Sequence, residues 1–232
     1  MNGVFITGSN TEVGKTTVAI EIIKHLGKTR QIKVRKPVET NCDLVDGNYI
    51  PKDAIVLNNA CNSNEPLNIV CPNCFALEAS PEEASAKIGK TLSLEDLVKA
   101  CNNQVGDSFV LVEGAGGIYS PIADRSLNSD LAVCLELPVI IVVRDELGAV
   151  SQGLMAIEAA KKNNLKVECL VLNEINSNSL SNKDALIGYT DVPILTLASS
   201  GLASRAKRLG QTMFKDSFEL DASFNAMASF GM

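Results

Sequence analysis

The apolar run Gly3-Val4-Phe5-Ile6-Thr7 is followed at once by Gly8-Ser9-Asn10-Thr11-Glu12-Val13-Gly14-Lys15-Thr16-Thr17, and then by residues of helical period. Strand, glycine-bounded loop and helix in that order constrain the fold more than any other feature. The glycines let the backbone curl, so that successive amides point inward and form an anion nest. The helix that begins beside Gly14 adds its positive end. In such a loop Lys15 reaches the β- and γ-phosphates of a nucleotide, and the Thr16 hydroxyl can bind Mg²⁺. The spacing is unusual. Five residues, one of them the acidic Glu12, separate Gly8 from Gly14-Lys15-Thr16, where the common pattern has four.

Strand-like runs recur at 4–7, 32–37, 108–113, 138–143, 167–173 and 192–197. Helical periodicity falls at 14–26, 94–101 and 149–162. Strands alternating with helices predict βαβ crossovers. The expected fold is α/β and P-loop NTPase-like, with a mainly parallel sheet flanked by helices on both faces. The length of 232 residues fits one domain over 1–232. Aromatics are only 4% of a chain that is 46% hydrophobic and lacks tryptophan, so the core must be aliphatic, as parallel strands require. The polar stretch 41–52 reads as a long loop and 62–66 as a turn. A helix is expected over 203–214, and 221–232 carries no functional signal.

The net charge of −6 argues against nucleic acid or an anionic membrane as the main partner. The longest apolar run, 138–143, is strand-sized. The first residues lack a basic segment followed by a long apolar one, so a cytoplasmic location is expected. Seven scattered cysteines then read as reduced thiols. Cys71-Pro72-Asn73-Cys74 invites a zinc or redox reading, but there is no second such pair. Two thiols in an apolar loop is the expectation. The single histidine, His25, lies on the helix after the loop and makes histidine-dependent catalysis improbable.

Chemistry concentrates in three further places. The apolar strand 108–113 ends in Glu113, where nucleotide enzymes place a second Mg²⁺ ligand, and Gly114-Ala115-Gly116-Gly117 follows with room for close backbone approach. Lys36, in Lys36-Pro37-Val38-Glu39-Thr40, lies at the carboxyl end of the second strand. A fixed ammonium there can offset charge developing in phosphoryl transfer, although taken alone it reads as an exposed strand cap. Asp53 opens Asp53-Ala54-Ile55-Val56-Leu57, where a helix N-cap is the simpler role.

Taken together, TGSNTEVGKT at 7–16, RKPVET at 35–40, KDAIVL at 52–57, VEGAGG at 112–117, PVIIVV with LGAVSQ at 138–152 and LVLNE at 170–174 resemble the dethiobiotin synthetases. The resemblance covers most of the chain. It implies an ATP-dependent ligase of biotin synthesis that uses Mg²⁺, CO₂ and 7,8-diaminononanoate. One amine traps CO₂ as a carbamate, whose oxygen attacks the γ-phosphate. The second amine then closes the ureido ring and releases phosphate. By resemblance, Glu12, Val13, Gly14, Lys15, Thr16 and Thr17 form the nucleotide loop, and Thr16, Asp53 and Glu113 hold Mg²⁺. Glu113 with Gly114, Ala115 and Gly116 lies on the nucleotide side. Lys36 and Lys15 are the catalytic cations, Thr40 meets the substrate, and Asn173 beside Glu174 reads the purine. A homodimer is implied, with the turn 147–151 offering amides to the substrate carboxylate.

The chain departs from that pattern at Asn41 (usually glycine), at Glu82 (often histidine) and in the charged run Arg144-Asp145-Glu146. Two other readings compete. An amidase-coupled ligase would need a Cys–His glutaminase domain for which the chain has no room. A nucleotide-switch ATPase of the partition or positioning type typically carries a second lysine early in the loop, and positions 9–13 hold none.

Overall fold

The computed structural model describes residues 1–198, so the helix expected over 203–214 and the segment 221–232 lie outside the described residues. Along the chain, β1 (Gly3–Gly8) leads through α1 (Lys15–Leu26) to β2 (Ile32–Arg35). Short pieces follow: β3 (Val38–Glu39), β4 (Asp43–Val45) and β5 (Asn48–Ile50), then α2 (Lys52–Ala60), α3 (Leu67–Val70), β6 (Asn73–Cys74), α4 (Pro81–Lys87) and α5 (Leu94–Asn102). After β7 (Phe109–Gly117) come β8 (Pro121–Ala123), β9 (Ser126–Leu127) and α6 (Asn128–Leu135). The described chain then alternates strictly through β10 (Val139–Arg144), α7 (Ala149–Lys162), β11 (Val167–Asn173), α8 (Asn182–Ile187) and β12 (Ile194–Leu197).

Six strands form one sheet in the order β12-β11-β10-β1-β7-β2, and every pairing in it is parallel. Alternate residues of each strand face opposite cores. Phe5, Val110, Val112 and Ile141 pack with α4 to α8, while Val4, Ile6, Leu111 and Val142 pack with α1, α2 and α3. The α/β fold with helices on both faces is therefore as the sequence predicts. Crossovers from the adjacent strands β1 and β7 leave to opposite sides, one to β2 and the other to β10. That divergence opens a crevice at their carboxyl ends, which is where open α/β sheets bind ligands.

Two local expectations differ. The stretch 41–52 is not simply a loop, because β4 and β5 pair antiparallel across Asp46-Gly47, whose φ angles of 50° and 80° are both positive. Asp-Gly is the pair that a tight primed hairpin turn selects, so the signal was present in the sequence. The second strand stops at Arg35, and β3 leaves the main sheet to pair with β6.

The edge strand β2 is capped rather than bare. Asn62 Oδ1 accepts from the Ile32 amide at 3.2 Å, and Ser63 Oγ donates to the Ile32 carbonyl at 2.7 Å. Arg35, fully buried, meets both oxygens of Glu65 at 2.7 and 3.2 Å and donates to the Asn103 carbonyl at 2.6 Å. The turn at 62–66 is thereby locked against the sheet edge.

Candidate active site

The loop between β1 and α1 turns on Glu12 (φ 56°) and Gly14 (φ 87°). Asn173, at the end of β11 and 3% exposed, donates from Nδ2 to the Val13 carbonyl at 2.9 Å. It thus latches the loop from a strand far along the chain. A Cβ at Gly14 would lie 2.0 Å from that nitrogen. Lys15 is buried and folds back to donate to the Asn10 carbonyl at 3.0 Å. Burial, and next the nearby ammonium of Lys36, lower its pKa to about 8.

Lys36 and Glu113 meet in the interior. Lys36 Nζ lies 2.6 Å from Glu113 Oε1, 3.1 Å from the Gly114 carbonyl and 3.4 Å from Asp53 Oδ2. Thr16 Oγ1 donates to the same Glu113 Oε1 at 3.0 Å. Burial alone would lower the Lys36 pKa, but the Glu113 and Asp53 carboxylates outweigh it and hold the ammonium above its ordinary value. The structure thus brings together Thr16, Lys36, Asp53 and Glu113 from α1, the β2–β3 connection, α2 and β7. Lys36 is 3% exposed, which overturns the expectation of an exposed lysine. Glu113 does not end its strand either, since β7 runs on to Gly117.

A cleft of about 570 Å³ opens over this group. Its lining includes Glu12, Lys15, Lys36, Thr40, Asp53, Ala115 and Gly116. Val13 is buried, and Thr17 lies within the first turn of α1. Glu174 is at the mouth of β11, where its amide donates to the Leu197 carbonyl at 2.8 Å.

Two residues that the sequence reading passed over organise the site. Glu39 accepts from the amides of Asp53 and Ala54 at 2.9 and 3.0 Å. Burial pushes its carboxyl pKa up. Asn128, fully buried, clasps the glycine segment: Oδ1 accepts from the Ala115 amide at 3.1 Å, and Nδ2 donates to the carbonyls of Ala115 and Gly117 at 2.7 and 3.0 Å. The glycines serve this packing. A Cβ at Gly114 would lie 2.3 Å from Asn128 Oδ1, and one at Gly117 would lie 2.9 Å from the Ser9 carbonyl oxygen. Asn128→Ala is expected to lower stability by about 2–3 kcal/mol through the stranded buried groups, read as a shift in urea midpoint at unchanged slope.

Cys71 Sγ and Cys74 Sγ stand 3.7 Å apart. Their shared hydrogen bond pushes the Cys71 thiol up and the Cys74 thiol down. Among the described residues no group of three or more His, Cys, Asp or Glu side chains is disposed to hold a metal.

The fold resembles that of Mg-ADP-bound MinD, the septum site-determining protein of Pyrococcus horikoshii. That match has a TM-score of 0.54 at 17% identity and covers 94% of this chain and 90% of the other. A plasmid partition protein of Borrelia burgdorferi aligns with a TM-score of 0.57 at 12% identity, over 93% of this chain and 99% of the other. These likenesses show the P-loop NTPase architecture and nothing finer. A family model described as an AAA domain matches residues 2–198. The ATP-dependent dethiobiotin synthetase of Ruthia magnifica is 46% identical over 90% of this chain and 97% of its own length. The chain belongs to the dethiobiotin synthetase family. The synthetase of Vesicomyosocius okutanii is 43% identical over 93% of this chain and 99% of its own length.

The departures from the synthetase pattern have local explanations. Asn41 stands where a glycine is usual and adopts φ 58°, a left-handed conformation that asparagine tolerates better than most residues. Glu82 turns aside to accept from the Arg125 amide at 2.7 Å. Of the three charges before the glycine turn, Arg144 pairs with Glu146 at 3.0 Å, and Asp145 accepts from Asn182 at 2.7 Å.

Proposed function

We propose that the chain is a dethiobiotin synthase, carboxylating 7,8-diaminononanoate with CO₂ and closing the ureido ring at the expense of ATP. The observation that carries this reading is the buried Lys36 ammonium set between Glu113 and Asp53, at the floor of a cleft shared with Lys15 and Thr40. The family membership supports it.

Mg²⁺ fits the donor set. Glu113 Oε1 takes both hydrogen bonds offered to that carboxylate, while Oε2 is buried without a partner. An unpartnered buried carboxylate oxygen costs free energy unless a cation or donor meets it. Two carboxylates and a hydroxyl suit an ion that completes its shell with phosphate oxygens and water. Thr16, Asp53 and Glu113 would hold it, and it would supply charge neutralisation on the phosphates.

The reaction brings a carbamate anion to a polyphosphate anion, so the protein must supply fixed positive charge. In this reading the amides of the loop and Lys15 bind the phosphates. Lys36 faces both the carbamate oxygen and the transferring phosphoryl group. The carbamate oxygen bonds to the γ-phosphorus as the bond to ADP breaks. The second amine then attacks the carbamate carbon and phosphate leaves. Thr40 lies where the diamine would enter, Ala115 and Gly116 border the nucleotide, and Asn173, beside Glu174, reads the purine while its latch orders the loop. The proposal includes a homodimer. Leu147, 87% exposed, and Met155, 62% exposed, give apolar surface beside the start of α7. The amides there would receive the substrate carboxylate.

The assay supplies MgATP, bicarbonate and the diamine, with dethiobiotin as the expected product. ATP turnover that ignores the diamine and gives no ureido product refutes the reading. Turnover stimulated by DNA or lipid instead favours a nucleotide switch.

A protonic signature should accompany nucleotide binding. Lys15, with a pKa near 8 in the free protein, is largely neutral at a pH one unit higher, and phosphate oxygens favour its charged form. ATP binding should therefore take up a proton above pH 8, seen calorimetrically as a dependence on buffer ionisation heat. The same depression sets the sign for stability. Between about 8 and 10.5 the unfolded chain binds more protons at this lysine, so its contribution to stability rises with pH across that window. Binding heats that do not depend on the buffer would contradict the proton uptake, and a urea midpoint that does not rise from about pH 8 to 10 would contradict the stability statement.

A further inference from the structure

Helix α2 begins at Lys52 behind Pro51, which offers no side-chain oxygen to the first free amides. A carboxylate from another element takes that place. Glu39, on β3, spans the helix start with one oxygen on the Asp53 amide and the other on the Ala54 amide. It is only 5% exposed. A serine at position 51 would cap the helix locally without burying a charge. What Glu39 adds is a link between two parts of the site. It lies three residues after Lys36, and it fixes the backbone of Asp53, the residue whose Oδ2 lies 3.4 Å from Lys36 Nζ. The Asp53 carboxylate is nearly half exposed and forms its ion pair with Lys36, so its place depends on where the first turn of α2 sits.

We infer that Glu39 is a positioning residue for Asp53, holding the first turn of α2 so that the Asp53 carboxylate meets the divalent cation of the bound nucleotide. The inference rests on the proposed assignment of Asp53 as a metal ligand. Glu39 does not touch the metal in this account. It acts through the two amide hydrogen bonds, and its negative charge is balanced by the positive end of α2.

The test uses the full chain with ADP and Mn²⁺ as the probe, titrated by electron paramagnetic resonance, so no diamine is needed. Glu39→Ala should weaken Mn²⁺ binding roughly tenfold, as loss of a partner behind a metal ligand does. Glu39→Gln keeps one acceptor and should fall between; it also carries the test if the alanine variant does not fold. Asp53→Ala should weaken binding too, and adding Glu39→Ala to it should cost little more, because the two act as one unit. In turnover, half-saturating Mg²⁺ should rise more than kcat at saturating Mg²⁺ falls. A lower thermal midpoint with unchanged Mn²⁺ affinity would make Glu39 a helix cap only and overturn the inference, as would fully additive losses in the double variant. Wild-type protein that binds Mn²⁺·ADP but makes no dethiobiotin would bring down the proposed reaction and leave this test readable.

Discussion

Glu113→Ala should abolish turnover and also remove a large part of the folding stability, about 3–5 kcal/mol. Both losses have one origin. Glu113 is fully buried, and its Oε1 is the closest anionic partner of the equally buried Lys36. Removing the carboxylate leaves an ammonium in the interior whose nearest remaining anion is the more exposed Asp53, 3.4 Å away. The proposed metal loses its innermost ligand in the same stroke. Activity alone therefore cannot separate a catalytic from a structural role at this position. A double variant can. Lys36→Met with Glu113→Gln removes both charges and keeps the volume, and buried ion pairs exchanged for neutral side chains are often tolerated. The double variant should regain most of the lost urea midpoint while turnover stays absent. If Glu113→Ala kept both a wild-type midpoint and near-normal turnover, the central role of the pair would be refuted.

Gly14→Ala should be nearly as damaging, through the backbone. At φ 87° an L-residue is strained, by about 1–2 kcal/mol. The added Cβ would also fall 2.0 Å from Asn173 Nδ2, so the latch on the Val13 carbonyl must open. Nucleotide affinity should drop at least about 100-fold, consistent with losing a positioned phosphate loop. Adding Asn173→Ala relieves the collision but not the strain, so it should restore thermal stability in part and nucleotide affinity hardly at all. Equilibrium binding of a fluorescent ADP analogue reads the second effect. Full recovery of affinity in the double variant would show that the collision was the whole story.

The alternation of strands and helices was legible because most strands of the main sheet are aliphatic runs and the crossovers through α1, α5 and α7 have helical period, both local properties, whereas α6 and α8 carry no such signal. The loop at 8–17 was legible for the same reason, since glycine, lysine and hydroxyl positions repeat the physics of phosphate binding. Geometry between distant segments was not legible. Nothing local marks Asn128 as the clasp of a segment more than ten residues earlier, or Glu39 as the cap of a helix it does not belong to. The run 114–117 shows the limit most clearly. Glycine spacing there announces close approach, but Gly114 and Gly117 admit the protein's own Asn128 and Ser9. Taken alone Lys36 reads as an exposed strand cap, and it is Glu113, 77 positions along the chain, together with Asp53 that holds its charge in the interior.

The capped edge of β2 has a consequence for how copies of this chain meet. A sheet end normally presents a row of unmatched amides and carbonyls on which another strand can grow. At Ile32 both outward groups are already taken by Asn62 and Ser63, and Arg35 is tied down by Glu65 and Asn103. The ladder cannot be extended on that side without first prising off a folded turn. Growth of the sheet by strand-on-strand stacking is thereby closed off at its β2 end.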